Sequence, residues 1–208
     1  MTSQLLTKSG YLAEDHYVTT ADGYRLNIVR AISPFVVDIV KEQVAHKQPV
    51  LFVHGITSSS LLFIIRLRNA KPRNLIDIDL ANFNDQQELN LALDQTSPSS
   101  QSVVTLLLDL GHEVWLLSRR GATNSRTRKD KDGSWTEIKW SSCHFGQHNF
   151  WNFSLDEQAR YDLPRAVEYI LKVSNRPKLS LVGHSLGAAL ILMSLSLDPN
   201  LEDKGKWP

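Results

Sequence analysis

One stretch constrains this chain more than any other: Leu179-Ser-Leu-Val-Gly-His-Ser-Leu-Gly-Ala-Ala-Leu190. An apolar run of strand formers (Leu179, Leu181, Val182) leads into a Gly183-x-Ser185-x-Gly187 pentapeptide, and a helix-forming run, Ala188-Ala-Leu-Ile-Leu-Met193, leads out. A serine held between strand and helix sits in a strained turn, where side chains two residues to either side would strike the backbone. Glycine at 183 and 187 removes those Cβ atoms and lets the turn close. The turn aims the Ser185 hydroxyl over the C-terminal edge of a parallel sheet, beside the free N–H groups of a starting helix that favour an oxyanion. Ser185 is therefore the candidate nucleophile. The pentapeptide also occurs as an ordinary glycine-rich turn; the flanking strand and helix favour the catalytic reading.

Upstream, residues 11–31 read as a β-hairpin, with β-branched and aromatic residues flanking a turn at Ala21-Asp22-Gly23. Pro49-Val-Leu-Phe-Val-His-Gly55 reads as a buried strand that ends in glycine. In serine hydrolases with this kind of turn, the loop after the third strand gives one backbone N–H to the oxyanion hole. His54-Gly55-Ile56 occupies that place, so the Ile56 N–H is one candidate donor and the Leu186 N–H its partner. The tripeptide alone is no more than a strand-ending turn; the elbow downstream gives it weight.

Residues 60–98 form an insertion of uncertain structure. Within it, Leu61–Arg68 reads as a buried helix or strand with a charged end, or as a membrane-surface anchor. Ser102–Gly111 predicts a short helix with glycine past its C-terminus, and His112–Ser118 a strand. Strand, helix and strand make a βαβ unit, and the fold class is α/β. Arg119, Arg120, Arg126, Arg128, Lys129 and Lys131 follow, interrupted by Asp130 and Asp132. This reads as a solvated loop, with an anionic-lipid or phosphate contact as the rival. Ser154 and Glu157 form a capping box, Leu163-Pro164 starts a second helical segment, and Ala166, Val167, Ile170 and Leu171 recur at core-facing spacing. Asn152-Phe-Ser154 is formally a glycosylation sequon, expected to be buried among aromatics and unmodified.

Composition bounds the rest. At 208 residues with a 42% hydrophobic fraction, one domain over 1–208 with a real core is expected, and a net charge of +1 gives no reason to expect nucleic acid. Cys143, the single cysteine, rules out an intramolecular disulfide framework and lies in a polar stretch unsuited to a catalytic thiol. No run approaches the ~20 apolar residues of a membrane span. Met1–Gly10 lacks a secretory h-region, so the chain is intracellular or begins inside a longer precursor. No His-Glu-x-x-His, Cys-x-x-Cys or Walker pattern is present, and no metal or cofactor is expected.

Together these pieces resemble the acid lipase family, the gastric and lysosomal lipases and steryl-ester hydrolases of the α/β-hydrolase fold. The resemblance runs through Glu14-Asp-His-Tyr-Val-Thr-Thr-Ala-Asp-Gly-Tyr-Arg-Leu26, His54-Gly-Ile56, Gly111-His-Glu-Val-Trp-Leu116 with Arg120-Gly121, and Asn149-Phe-Trp-Asn-Phe-Ser-Leu-Asp-Glu157 with Tyr161-Asp-Leu-Pro164. It ends at the Gly183–Gly187 elbow. The aromatic stretch is far more specific than the pentapeptide. The resemblance implies that Ser185 is the acyl-accepting nucleophile and that the Ile56 and Leu186 amides form the oxyanion hole. Leu186 departs from the family's usual glutamine, a change a backbone donor tolerates.

In this fold the triad acid and histidine follow the nucleophile. Residues 186–208 hold no histidine, and their acids, Asp198, Glu202 and Asp203, lie close behind the elbow. The chain therefore reads as the N-terminal half of a lipase, truncated after the elbow strand and helix, with its last strand's edge left open. The expected parent activity is ester hydrolysis on neutral lipids, acylglycerols or steryl esters, at a lipid–water interface, in a secreted or lysosomal setting by resemblance. A catalytically inactive lipid-binding or regulatory fragment and a small-acyl carboxylesterase are the alternatives. Oligomeric state is not legible.

Overall fold

The computed structural model describes residues 1–36, 47–64, 102–138 and 150–201. Helix α1 (Thr2–Lys8) precedes a long hairpin of β1 (Leu12–Thr19) and β2 (Tyr24–Ile32), paired antiparallel from Leu12↔Ile32 to Thr19↔Arg25. The turn falls where Asp22-Gly23 demands it, with Gly23 at φ 93°. Strand β3 (Val50–Val53) follows. Helix α2 (Val103–Asp109) starts on Ser102, whose side chain accepts from the Thr105 N–H, and stops before Gly111 at φ 86°. Strand β4 (Val114–Ser118) leads to a small hairpin, β5 (Thr127–Lys129) and β6 (Trp135–Glu137).

The capping box is present. Ser154 and Glu157 bond reciprocally at the start of α3 (Leu155–Glu157), a single turn that continues through a π-turn at Gln158–Asp162 into α4 (Leu163–Ser174). Asn175 at φ 52° stops α4 in the left-handed conformation that asparagine tolerates. Strand β7 (Ser180–Gly183) and helix α5 (Leu186–Leu197) complete the described chain.

Among the described residues, seven strands form one mixed sheet in the order β6-β5-β2-β4-β3-β7, with β1 on the other edge of β2. β3 is parallel to both β4 and β7, so the C-terminal ends of these three strands lie together. Every residue of β3 and β4 is buried, and alternate residues serve opposite faces. Leu51, Val53, Trp115 and Leu117 pack with Leu163, Ala166, Val167 and Ile170 of α4, whereas Val50, Phe52, Val114 and Leu116 pack with Leu6 of α1 and Val104 and Leu108 of α2. A sheet covered on both faces explains why these strands read as continuous apolar runs instead of alternating ones. Leu171 packs at the rim of the first cluster. β7 is the last strand of the sheet among the described residues, and all four of its residues are only half-buried.

Two sequence expectations are corrected. The basic segment after β4 is not a solvated loop: Arg119 and Arg120 are buried, at 7% and 3% exposure, and 127–129 joins the sheet beside Tyr24 and Arg25. Alternating charge suggested solvent because the partners of both arginines lie far away in sequence. Asn152 is exposed instead of buried; the neighbouring Phe150 and Phe153 take the interior positions around Tyr24. Of the 60–98 region, Ser60–Phe63 forms a short 3-10 turn with Ile64 buried behind it, and the rest of that region, like Cys143, lies outside the described residues.

Candidate active site

The parallel register of β3 and β7 sets Val53 against Gly183, and the His184 N–H donates to the Val53 carbonyl at 3.0 Å. The segments that leave the two strands, His54-Gly55-Ile56 and His184-Ser185-Leu186, therefore run side by side at the C-terminal edge. Ser185 has φ 54° and ψ −121°, a backbone conformation that L-residues avoid. Thr57, a β-branched residue, stands at φ 51° just past Ile56. Such residues cost about 1–3 kcal/mol each and persist only where surrounding packing imposes them. The packing here is visible. A Cβ on Gly183 would lie 2.5 Å from the Ala188 backbone, and one on Gly187 would lie 2.1 Å from the Val53 carbonyl oxygen. The elbow closes only with glycine at both places.

Ser185 is exposed and makes no side-chain bond to cap its own helix, so its hydroxyl is not engaged in holding α5. Gly55 approaches it so closely that a Cβ there would stand 3.0 Å from Ser185 Cβ. The amides of Ile56 and Leu186 take no backbone acceptor among the described residues, and Leu186 opens α5, where an N–H has no intrahelical partner. The Ile56 side chain projects into solvent at 66% exposure. The structure thus brings Ser185, Ile56, Leu186, Gly183 and Gly187 to one place.

His54 is buried at 1% exposure and both ring nitrogens are engaged. Nε2 accepts the Arg119 backbone N–H at 3.2 Å, which leaves the proton on Nδ1 to donate to the Gly55 carbonyl at 2.8 Å. Burial lowers its pKa from 6.5 to about 4, and the Arg119 charge pushes the same way against the Gly55 bond. His54 is thus a neutral structural imidazole with no nitrogen free to take a proton from Ser185. His184 is exposed and adjacent to the serine in the chain.

Sequence reasoning missed Arg119 and Gln158. Arg119 donates from Nε to the His54 carbonyl at 3.0 Å, from one terminal nitrogen to the Gly55 carbonyl at 2.6 Å, and from the other to Gln158 Oε1 at 2.6 Å. Gln158 in turn donates to the Ser154 carbonyl at 3.3 Å. Arg120 bonds Asp162 and Asp22, its guanidinium 4.0 Å from the Tyr24 ring centroid. Desolvation lowers the Arg120 pKa, and the bonds and charges of Asp162 and Asp22 more than reverse it. The only sequence signal for Arg119 is its place, directly after a strand buried along its whole length; Arg120 also belongs to the Arg120-Gly121 block of the acid-lipase resemblance.

Comparison with known proteins places the chain. Residues 2–67 match the family described as a partial alpha/beta-hydrolase lipase region, and residues 48–201 match the family described as alpha/beta hydrolase fold. A probable lipase of Schizosaccharomyces pombe, C1672.09, is 33% identical over 94% of this chain and 33% of its own length. A second, C16A3.12c, is 30% identical over 94% of this chain and 33% of its own. Gastric triacylglycerol lipase of Bos taurus is 30% identical over 98% of this chain and 40% of its own. The chain therefore spans between a third and two fifths of the length of these relatives. The acid-lipase resemblance of the sequence agrees with these matches, which cover nearly all of the chain. This chain belongs to the alpha/beta-hydrolase fold family.

Proposed function

We propose that this chain carries the nucleophile and oxyanion half of a lipid-ester hydrolase. Ser185 Oγ attacks the ester carbonyl and forms an acyl-serine, while the Ile56 and Leu186 amides hold the developing oxyanion. The observation that carries this reading is the Ser185 backbone at φ 54°, permitted by the missing Cβ atoms at 183 and 187 and set beside Gly55. Neutral lipid esters, acylglycerols or steryl esters, are the proposed substrates, met at a lipid–water interface. The exposed Ile56 beside Ser185 suits an acyl chain. A secreted or lysosomal setting goes with this proposal. Among the described residues no helix is long and apolar enough to cross a membrane.

The described residues place no free imidazole against Ser185 other than that of its chain neighbour His184, so the test supplies one. The chain is incubated with p-nitrophenyl butyrate and with an emulsified long-chain ester, with and without imidazole as external base. Ser185-dependent release that imidazole accelerates, and that Ser185→Ala abolishes, is the expected result. A preference for the long-chain ester separates a lipase from a small-acyl esterase. Equal release from Ser185→Ala overturns the assignment. Saturable lipid binding without any release points instead to a lipid-binding role.

A further inference from the structure

The peptide between Gly55 and Ile56 is trans, so its carbonyl and its N–H point in opposite directions. Its carbonyl is held twice, by the Arg119 guanidinium at 2.6 Å and by His54 Nδ1 at 2.8 Å. The preceding carbonyl, that of His54, is held by Arg119 Nε at 3.0 Å. One guanidinium therefore fixes two consecutive peptide planes, and the Ile56 N–H is turned away from it. Arg119 is itself held rigid. Its own backbone N–H returns to His54 Nε2, and Gln158 takes its remaining guanidinium nitrogen. No carboxylate bonds this side chain among the described residues. A buried cation satisfied only by carbonyls and an amide is costly to desolvate, with no bonded opposite charge to offset the cost. The charge has a use here. A cationic donor on a peptide carbonyl polarises that peptide and strengthens its N–H as a donor.

We propose that Arg119 is the positioning residue of the oxyanion hole: with His54 and Gln158 it clamps the Gly55–Ile56 peptide so that the Ile56 N–H is fixed and strengthened as the oxyanion donor. This rests on the reading of Ser185 as nucleophile. Arg119 does not touch the reacting atoms; it acts through the peptide.

The test uses the whole chain, imidazole as base and an alkyl fluorophosphonate. Ser185 Oγ forms a bond to phosphorus, the P–F bond breaks, fluoride leaves, the proton passes to imidazole, and the phosphoryl oxygen takes the oxyanion position. Arg119→Ala lowers the labelling rate at saturating probe about tenfold or more, with little change in the half-saturating concentration. Millimolar guanidinium restores the rate and methylammonium does not. A merely structural role predicts no such rescue. Unchanged labelling in Arg119→Ala, or a folded variant that guanidinium fails to rescue, overturns the proposal. Should Arg119→Ala fail to fold, Arg119→Lys keeps the charge without the fork and is expected to label slowly; labelling at the unmodified rate overturns the proposal.

Should unmodified Ser185 itself never label, the nucleophile reading fails, and the clamp is judged on NMR alone. The Gly55 carbonyl 13C and Ile56 amide 15N signals are then expected to shift in Arg119→Ala and return with guanidinium. Signals that stay in place overturn the clamp.

Discussion

Arg119 and Arg120 are chain neighbours, both buried at the end of β4, yet their surroundings differ in kind. Arg120 is fully enclosed and meets two carboxylates, Asp22 from the turn between β1 and β2 and Asp162 from the π-turn before α4. It ties the hairpin to the helix, and its charge is neutralised on the spot. Arg119 meets two backbone carbonyls and a glutamine amide, and among the described residues no carboxylate is bonded to it. Desolvation lowers the Arg119 pKa, with only the more distant Asp162 charge opposing it, whereas the Arg120 pKa is raised. One arginine holds the scaffold together; the other aims a peptide. Adjacent positions on a strand end face opposite ways, so one short sequence can serve both ends.

That contrast fixes what removing each should do. Arg120→Met strands Asp162, whose side chain is only 3% exposed, and should cost about 3–5 kcal/mol. The urea-unfolding midpoint reads this directly, and a loss under about 1 kcal/mol would mean that the pair is not buried as described. Acid strikes the Arg119 side next. The folded pKa of His54 is about 4 against 6.5 unfolded, so the unfolded chain binds more protons between those values. Stability tied to His54 is whole above pH 6.5 and falls as pH drops toward 4, by about 3 kcal/mol in all. Asp162 works in the opposite sense, because burial raises its pKa to about 6 and the native state then holds the extra proton below that pH. The informative quantity is therefore the difference between unmodified chain and His54→Gln, measured at pH 7 and pH 4.5. That difference should shrink on acidification, and a constant difference would refute the neutral, clamped imidazole.

Arg119→Met removes a cation without stranding an opposite charge. It should cost less than the Arg120 change, about 2 kcal/mol for carbonyls left without donors. If the two arginine variants prove equally unstable, the division of labour is wrong. The smallest effect sits upstream. Ser154→Ala breaks the capping box that precedes Gln158 and should cost about 1 kcal/mol in thermal or urea unfolding. It should also loosen the Gln158 contact enough to slow Ser185 labelling slightly. Slower labelling without lost stability would assign Ser154 to the site instead of the helix.

Local features were legible in the sequence. The hairpin turn, the glycine-flanked serine, the serine cap at 154, the glycine stop at 111 and the apolar runs of β3 and β4 each depend on neighbours within a few positions, and each appears where residue type demands it. Ser185 is legible from its glycine neighbours, whereas Ile56 and Leu186 are expected from their places after the third strand and after the serine, and the parallel register of β3 and β7 sets their segments side by side. The burial of Arg119 and Arg120 is not legible locally, because their partners lie 39 to 98 positions away and nothing nearby in sequence distinguishes a buried guanidinium from a solvated one. Gln158 carried no signal at all. The aromatic stretch was recognised as distinctive without its purpose. In the structure, Phe150 and Phe153 pack edge-on to Tyr24, and the helical turns that follow deliver Gln158 and Asp162 to the two arginines.

The strained serine between β7 and α5 is the proposed nucleophile. The most direct measurement is intact-mass and peptide mass spectrometry of the chain after reaction with a fluorophosphonate in the presence of imidazole. A single phosphonyl adduct is expected on Ser185, accelerated by imidazole and missing from Ser185→Ala. Adducts spread over other serines, or an unmodified Ser185 at every imidazole concentration, would contradict the assignment.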